Sequence, residues 1–88
     1  MAEGVANPLK YLREAVNSQI YVKLKDGSEY VGILKVTDST MNLILEDTIE
    51  IRGGKQVVAK LGRALIRGSM IQYISFNPEI AAGQALTG

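Results

Sequence analysis

Residues 20–45 constrain the fold most, because three apolar-alternating runs are separated there by two short turn signals. A period of two places alternate side chains on one face of an extended strand. Asp26-Gly27 is the first signal, a dipeptide suited to a tight type I′ hairpin whose two central residues need positive φ. Asp38-Ser39-Thr40 is the second, since short polar side chains bond to the local backbone and favour a turn. The pattern predicts a three-stranded antiparallel meander. Ile20, Val22 and Leu24 share a face of its first strand, Tyr30, Gly32, Leu34 and Val36 of its second, and Met41, Leu43 and Leu45 of its third. Val31 and Ile33 make the opposite face of the second strand more apolar than a solvated surface needs. Gly32 inside a strand pattern signals a strong bend or a close backbone approach. Asp38 and Asn42 stand at the second turn, where a closed β-structure presents them outward.

The flanks complete the plan. Asn7-Pro8 reads as a helix start, with Asn as N-cap and Pro at the first helical position. Leu9, Leu12 and Val16 form an apolar stripe, and Asn17-Ser18 ends the helix. A helix of about ten residues is unstable alone in water, so it must dock on the β-structure as a lid. Beyond the meander, Glu46-Asp47 begins an exit that Ile49 and Ile51 can prolong as strand. Arg52-Gly53-Gly54-Lys55 reads as a turn, residues 56–67 as a long run bent at Gly62, and Gly68-Ser69 as a tight break. Residues 70–75 form the last strand, apolar on both sides except at Gln72. Residues 1–6 read as a flexible start, 7–76 as the domain and 77–88 as a partly disordered tail. The expected fold class is mainly β: an N-terminal helix followed by a five-stranded, strongly bent antiparallel small barrel.

A chain of 88 residues has room for one small domain, and it carries neither Cys nor His. Disulfides and nearly all zinc, haem and iron–sulfur chemistry are thereby excluded, and no cofactor is expected. Oligomerisation is the support that remains for so small a core. A last strand apolar on both faces is an aggregation hazard at a sheet edge, and a neighbouring subunit is its economical partner. The net charge of +1 gives no bulk field for nucleic acid or membrane. Local geometry, or repetition in an oligomer, must supply any affinity for RNA. No apolar run approaches the ~18 residues of a membrane span, and no secretory signal is evident, so a cytoplasmic protein is expected. An enzyme is not expected. There is no phosphate loop, and Glu46-Asp47, adjacent in a strand, point to opposite faces.

The chain resembles the Sm/LSm family, most of all its archaeal Sm-like proteins. The first family motif is matched by Asp26-Gly27, Gly32, Leu34, Asp38, Met41, Asn42, Leu43 and Leu45. The second is matched by Leu65-Ile66-Arg67-Gly68 and the strand Met70-Ile71-Gln72-Tyr73-Ile74. The resemblance implies a closed homo-oligomeric ring, commonly of seven subunits, in which the last strand of one subunit pairs with the fourth of the next. That pairing would also cover the surplus face of Val31 and Ile33. The ring is expected to bind single-stranded, uridine-rich RNA around its central hole and to serve RNA processing, stability or chaperoning. One base would dock per subunit between residues 38–42 and 67–69.

Asn42 has the donor and acceptor that suit a uracil edge, a role to be weighed against simple turn closure. Arg67 offers a planar cation for stacking and phosphate, against the alternative of a plain surface charge. Asp38 supports the pocket by bonding loop amides or Arg67, and Gly68 meets a backbone requirement. Thr40, Met41 and Ser69 complete the expected RNA-binding set. Thr40 stands where the family often has His or an aromatic, and Ser69 where it often has Asp or Asn. Arg67 would therefore stack alone, and an aromatic at position 40 would restore a second stacking face. The competing readings are a structural or protein-interaction ring with a weakened RNA pocket, and a monomeric SH3-like or OB-type barrel. The other basic residues read as solvated charges, with Lys10 and Arg13 as a weaker second RNA surface. The four tyrosines read as packing, Tyr21 being the one to check.

Overall fold

Pro8 opens helix α1 (Pro8–Glu14) in the computed structural model, which describes residues 8–76. The expected cap at Asn7, the flexible start and the tail lie outside the described residues. Helix α1 is shorter than its stripe predicts. After Glu14 the chain tightens into a turn, with the Ser18 amide donating to the Ala15 carbonyl at 2.8 Å. Asn17 ends it in the left-handed region, φ 73°, which Asn tolerates better than most residues. The Asn17 amide donates to the Leu34 carbonyl at 2.7 Å, and the Leu34 amide to the Ser18 carbonyl at 3.0 Å. The helix is thus tied directly to the sheet. Leu12 is fully buried, and Leu9 and Val16 pack against the same cluster, so the stripe docks as a lid.

Five strands follow: β1 (Gln19–Leu24), β2 (Glu29–Thr37), β3 (Leu43–Arg52), β4 (Gln56–Ile66) and β5 (Ile71–Ser75). They form one antiparallel sheet in the order β4-β3-β2-β1-β5. Register shifts interrupt the β1–β5, β2–β3 and β3–β4 ladders, and such bulges bend and twist a sheet. A Cβ on Gly32 would lie 2.9 Å from Thr48 Oγ1 and 3.1 Å from Leu45 Cβ, so glycine is required where β2 crosses β3. The concave face and α1 enclose Leu12, Ala15, Ile20, Val22, Leu34, Leu43, Leu45 and Ile66. Burying such side chains contributes about 1.5–3 kcal/mol each.

Several sequence expectations need correction. Asp26-Gly27 does not form a type I′ turn. Lys25, Asp26 and Gly27 make a three-residue loop in which only Gly27 has positive φ, with the Gly27 amide bonded to the Leu24 carbonyl at 2.9 Å. Paired positive φ values occur instead at Gly53 (66°) and Gly54 (79°), in the turn from β3 to β4. Val36 is exposed rather than inward, because the register shift between Leu34 and Val36 rotates it off the core face. Val31 needs no neighbouring subunit to cover it: it is fully buried in a second cluster with Ile49 and Ile51, backed by Tyr21 and Val57. Met70 belongs to a 3-10 turn, Gly68–Met70, and not to the last strand. β3 continues to Arg52 through a left-handed Asp47, so Ile49 and Ile51 do prolong the pairing.

β4 and β5 are the edges, and neither pairs with the other within the chain. Val58, Leu61 and Leu65 are exposed on β4, and Tyr73 on β5. Among the described residues no helix is long and apolar enough to cross a membrane.

Thr48 is 1% exposed, and its Oγ1 has no hydrogen-bond partner among the described residues. A buried unpaired hydroxyl costs about 1–3 kcal/mol, whereas an apolar group of the same shape carries no such penalty. Thr48→Val is therefore expected to stabilise the fold by about 1 kcal/mol, read as a higher urea midpoint at unchanged m-value.

Candidate nucleic-acid interface

Two loops meet beside the core, one joining β2 to β3 and one joining β4 to β5. Asp38 organises the first. Its Oδ1 accepts from the Thr40 amide (2.9 Å), the Thr40 hydroxyl (2.7 Å) and the Asn42 amide (3.1 Å). Its Oδ2 accepts from Asn42 Nδ2 at 3.1 Å. A second Asn42 Nδ2 bond goes to Thr40 Oγ1 at 2.9 Å. Among the described residues every bond to the Asp38 carboxylate comes from its own loop, so of its two expected partners it takes the amides and not Arg67. Met41 is held in the left-handed region at φ 65°, a conformation that costs a bulky side chain about 1–3 kcal/mol. Its amide donates to the Asp38 carbonyl at 3.0 Å and its side chain packs against the core, which pins the loop from below.

The second loop is locked to the first by one bond, from the Gly68 amide to Asn42 Oδ1 at 2.8 Å. The contact is so close that a Cβ on Gly68 would fall on the Thr40 carbonyl oxygen and lie 2.9 Å from the Met41 carbonyl. The backbone requirement at Gly68 is therefore close approach, not positive φ. Arg67 precedes this turn in extended geometry, φ −79° and ψ 132°. Its side chain is exposed and makes no hydrogen bond or ion pair among the described residues. By contrast Arg63 is engaged by Glu46 at 2.6 Å, and Lys35 by Asn17 at 2.9 Å.

Thr40, Met41, Asn42, Leu65, Arg67, Gly68 and Ser69 line one open cleft of about 590 Å³. All six residues expected to contact RNA are brought together there, with Asp38 behind them. Leu65 was seen in the sequence only as an apolar motif residue; here it is 70% exposed and forms an apolar wall of the cleft. Lys10 and Arg13 lie on α1 and do not line it. Tyr21 is a packing residue. Its hydroxyl donates to Glu29 Oε1 at 2.7 Å, its ring lies 6.0 Å from that of Tyr73, and burial followed by the Glu29 bond pushes its pKa up. Glu29 itself is buried, and its Oε2 accepts from the Gly53 amide at 3.1 Å, pinning the turn from β3 to β4. Among the described residues no cluster of acidic side chains is arranged to hold a metal ion.

The Thr40 hydroxyl, then the Asn42 amide, hold the Asp38 carboxyl below its ordinary value of 3.8. A depressed carboxyl pKa stabilises the loop above the ordinary value and loses that contribution as pH falls through the depressed one. In an NMR titration, Asp38 is expected to protonate below pH 3.8, with the Thr40 and Asn42 amides shifting in the same step. Gly68→Ala is expected to force the loops apart and cost about 1–3 kcal/mol in urea unfolding, the usual range for overpacking.

Comparison with known proteins places this arrangement. Residues 10–76 match the LSM domain family. An snRNP Sm-like protein of Methanococcoides burtonii is 38% identical over 68 residues, covering 77% of this chain and 93% of the relative. The structure of a Pyrococcus abyssii Sm protein in complex with a uridine heptamer superposes with TM-score 0.74 at 33% identity, over 78% of this chain and 96% of that one. The SmAP1 heptamer of P. aerophilum gives TM-score 0.68 at 39% identity, over 75% and 86%. With both loop motifs in place and the family match running from Lys10 within the helix through all five strands, the chain belongs to the Sm/LSm family.

Proposed function

We propose that this chain assembles into a closed homo-oligomeric ring of seven subunits that binds single-stranded, uridine-rich RNA around its central hole. In this reading it serves RNA processing, stability or chaperoning in the cytoplasm and catalyses no reaction. The observation that carries it is the cleft: a locked Asn42 beside an unengaged Arg67, with one such cleft per subunit. The uridine heptamer held by the Pyrococcus relative and the heptameric state of the P. aerophilum relative support it.

The chemistry of the two residues is complementary. Both Asn42 Nδ2 protons are taken by Asp38 and Thr40, while Oδ1 accepts one bond and keeps a second lone pair. That acceptor suits the N3–H of uracil, whereas cytosine presents a lone pair at N3 and its donor at the neighbouring N4 amino group, and so fits only by shifting. Arg67 stacks on the base face and neutralises phosphate, and Leu65 adds apolar contact. Neither Thr40 nor Ser69 supplies a ring, so each cleft is modest, and repetition round the ring multiplies it.

Ring closure is supported by the two unpaired edges. A head-to-tail contact of β5 on β4 is heterologous, and such contacts close into rings when the rotation permits. It would cover Val58 and Leu61, which a monomer leaves in water. Ile74 packs against this chain's own core, so charging it would confuse folding with assembly; exposed Leu61 is the cleaner probe.

Native mass spectrometry with and without a heptauridine tests both halves of the proposal. Seven subunits and one RNA per ring are expected, with oligouridine bound more tightly than oligocytidine and affinity falling with salt. Leu61→Asp is expected to give folded monomers that bind oligouridine at least tenfold more weakly, about the smallest loss when avidity goes. A monomeric wild type would remove the ring. A ring with equal affinity for all homopolymers would remove the specific pocket and leave only a charged groove, and a ring that binds none of them would leave the alternative, a structural or protein-interaction assembly.

A further inference from the structure

We propose that the base cleft of each subunit is completed by its two neighbours, so that ring assembly and base binding are coupled within every subunit, apart from any gain through repetition. This deepens the reading of the cleft as a uridine site and rests on it.

Two further hollows flank the cleft, and each follows one unpaired edge of the sheet. One runs along β4 from Leu61 to Arg67, with Leu24, Tyr30 and Met70 as its far wall. The other runs along β5 from Ile71 to Ile74, with Pro8 and Leu12 of α1 opposite. The cleft shares walls with both. Leu65 and Arg67 line the cleft and the β4 hollow. Met41 and Gly68 line the cleft and the β5 hollow. Four of the seven residues around the cleft are therefore also surfaces of an assembly edge, and whatever fills an edge touches the cleft.

The occupant of each hollow is a second copy of this chain. A strand laid on an unpaired edge places its side chains over the hollow beside that edge. β5 is the free strand that answers β4, and the two stand at opposite edges of one sheet, so each seating leaves a further edge open for the next copy. The surfaces match in character: Leu61 and Leu65 are exposed along β4, and Tyr73 along β5.

Alone, the chain leaves the shared walls unsupported. Ile66 is the last residue of β4 to pair with β3, opposite Leu43. Arg67 runs on in extended geometry, its carbonyl accepting from the Met70 amide at 2.9 Å. Leu65 is 70% exposed, and the Arg67 side chain has no partner among the described residues, so both keep their rotamer freedom. A base docking on an isolated subunit has to immobilise them, and that cost is largest for long side chains such as Arg. A neighbour's strand along β4 fixes this wall beforehand. On the opposite side, a strand along β5 packs behind Met41, held at φ 65°, and behind Gly68, which has no room for a Cβ. Coupling of this kind is reciprocal: if assembly tightens the cleft, a base in the cleft tightens the assembly.

The probe for the test is uridine, a single nucleoside that cannot bridge two clefts and carries no phosphate to sense a charge placed on β4. Its Kd is read from the Asn42 and Gly68 amide shifts by NMR, in the wild-type ring and in Leu61→Asp monomers. Val58→Asp, exposed on the same edge and lining neither hollow, supplies a second monomer. Uridine is expected to bind each cleft of the ring about tenfold more tightly than either monomer, within the usual range of coupling between sites. Equal affinity would overturn the proposal. The second readout uses wild type alone, as the protein concentration at which half the rings dissociate on dilution, followed by energy transfer between labelled subunits. Saturating uridine is expected to lower that concentration, because a ligand shifts an equilibrium only toward the state it prefers. An unmoved value would overturn the coupling as well. If uridine shifts no amide in ring or monomer, the base site falls and the coupling with it. If it binds both states alike, the base site stands and the coupling alone is lost.

Discussion

The bond from the Gly68 amide to Asn42 Oδ1 holds the candidate site together, because among the described residues it is the side-chain hydrogen bond that joins the two loops that form it. Its partners are separated by the whole of β3 and β4, so it forms only when those strands are in register. Asp38 prepares one side by gathering the Thr40 and Asn42 amides onto a single carboxylate oxygen. Gly68 prepares the other by lacking a Cβ where the Thr40 carbonyl passes. A left-handed Met41 lets the loop turn while its side chain stays on the core. The candidate site is thus an extension of core packing, which is what precise placement of one amide requires.

The same economy governs the sheet. A small domain without disulfide or metal has few ways to stabilise itself, and here the concave core is supplemented by a second cluster around Val31, Ile49 and Ile51. Glu29 ties that region to the turn from β3 to β4 through its two carboxylate oxygens, one on Tyr21 and one on Gly53. What the chain leaves unfinished is confined to β4 and β5, the edges. Natural sheets usually protect such edges with charge, proline or a covering element. β4 carries Lys60 and Arg63 but also exposes Val58 and Leu61, and that apolar surface is intelligible if another copy supplies the missing pairing.

Much of the fold was legible because alternation and turn chemistry are local. The inward sets of β1 and β3, the docking stripe of α1 and the close approach at Gly32 follow from residue types and spacing. The errors lie where neighbouring strands and local turns must fit together. Bulges arise from the way strands fit, and the bulge between Leu34 and Val36 turns Val36 off the core face. The resemblance implies a neighbouring subunit over Val31, whereas the pairing of β2 with the prolonged β3 brings the chain's own Ile49 and Ile51 there. The residues of the cleft were legible through motif spacing, and the roles of their polar atoms were not. That Asn42 spends both donors inside its loop depends on hydrogen-bond geometry, which spacing does not encode.

Charge sets the last constraint on how such a cleft can work. At a net charge of +1 the chain has little long-range attraction for phosphate, so the sequence-independent part of RNA binding is small. A single cleft with one arginine and no aromatic ring is then too weak to hold a base for long. Arranging identical clefts around a ring changes the problem, because each base after the first is captured at a high effective concentration set by the RNA linkage. Affinity gained in this way multiplies with each matched base and fails to accumulate across mismatched ones. A weak cleft repeated round a ring therefore discriminates by the composition of a whole tract, where a strong and more basic pocket would retain any single strand. Low charge, a ringless Thr40 and unpaired sheet edges become parts of one design once the site is taken to be the assembly's rather than the subunit's.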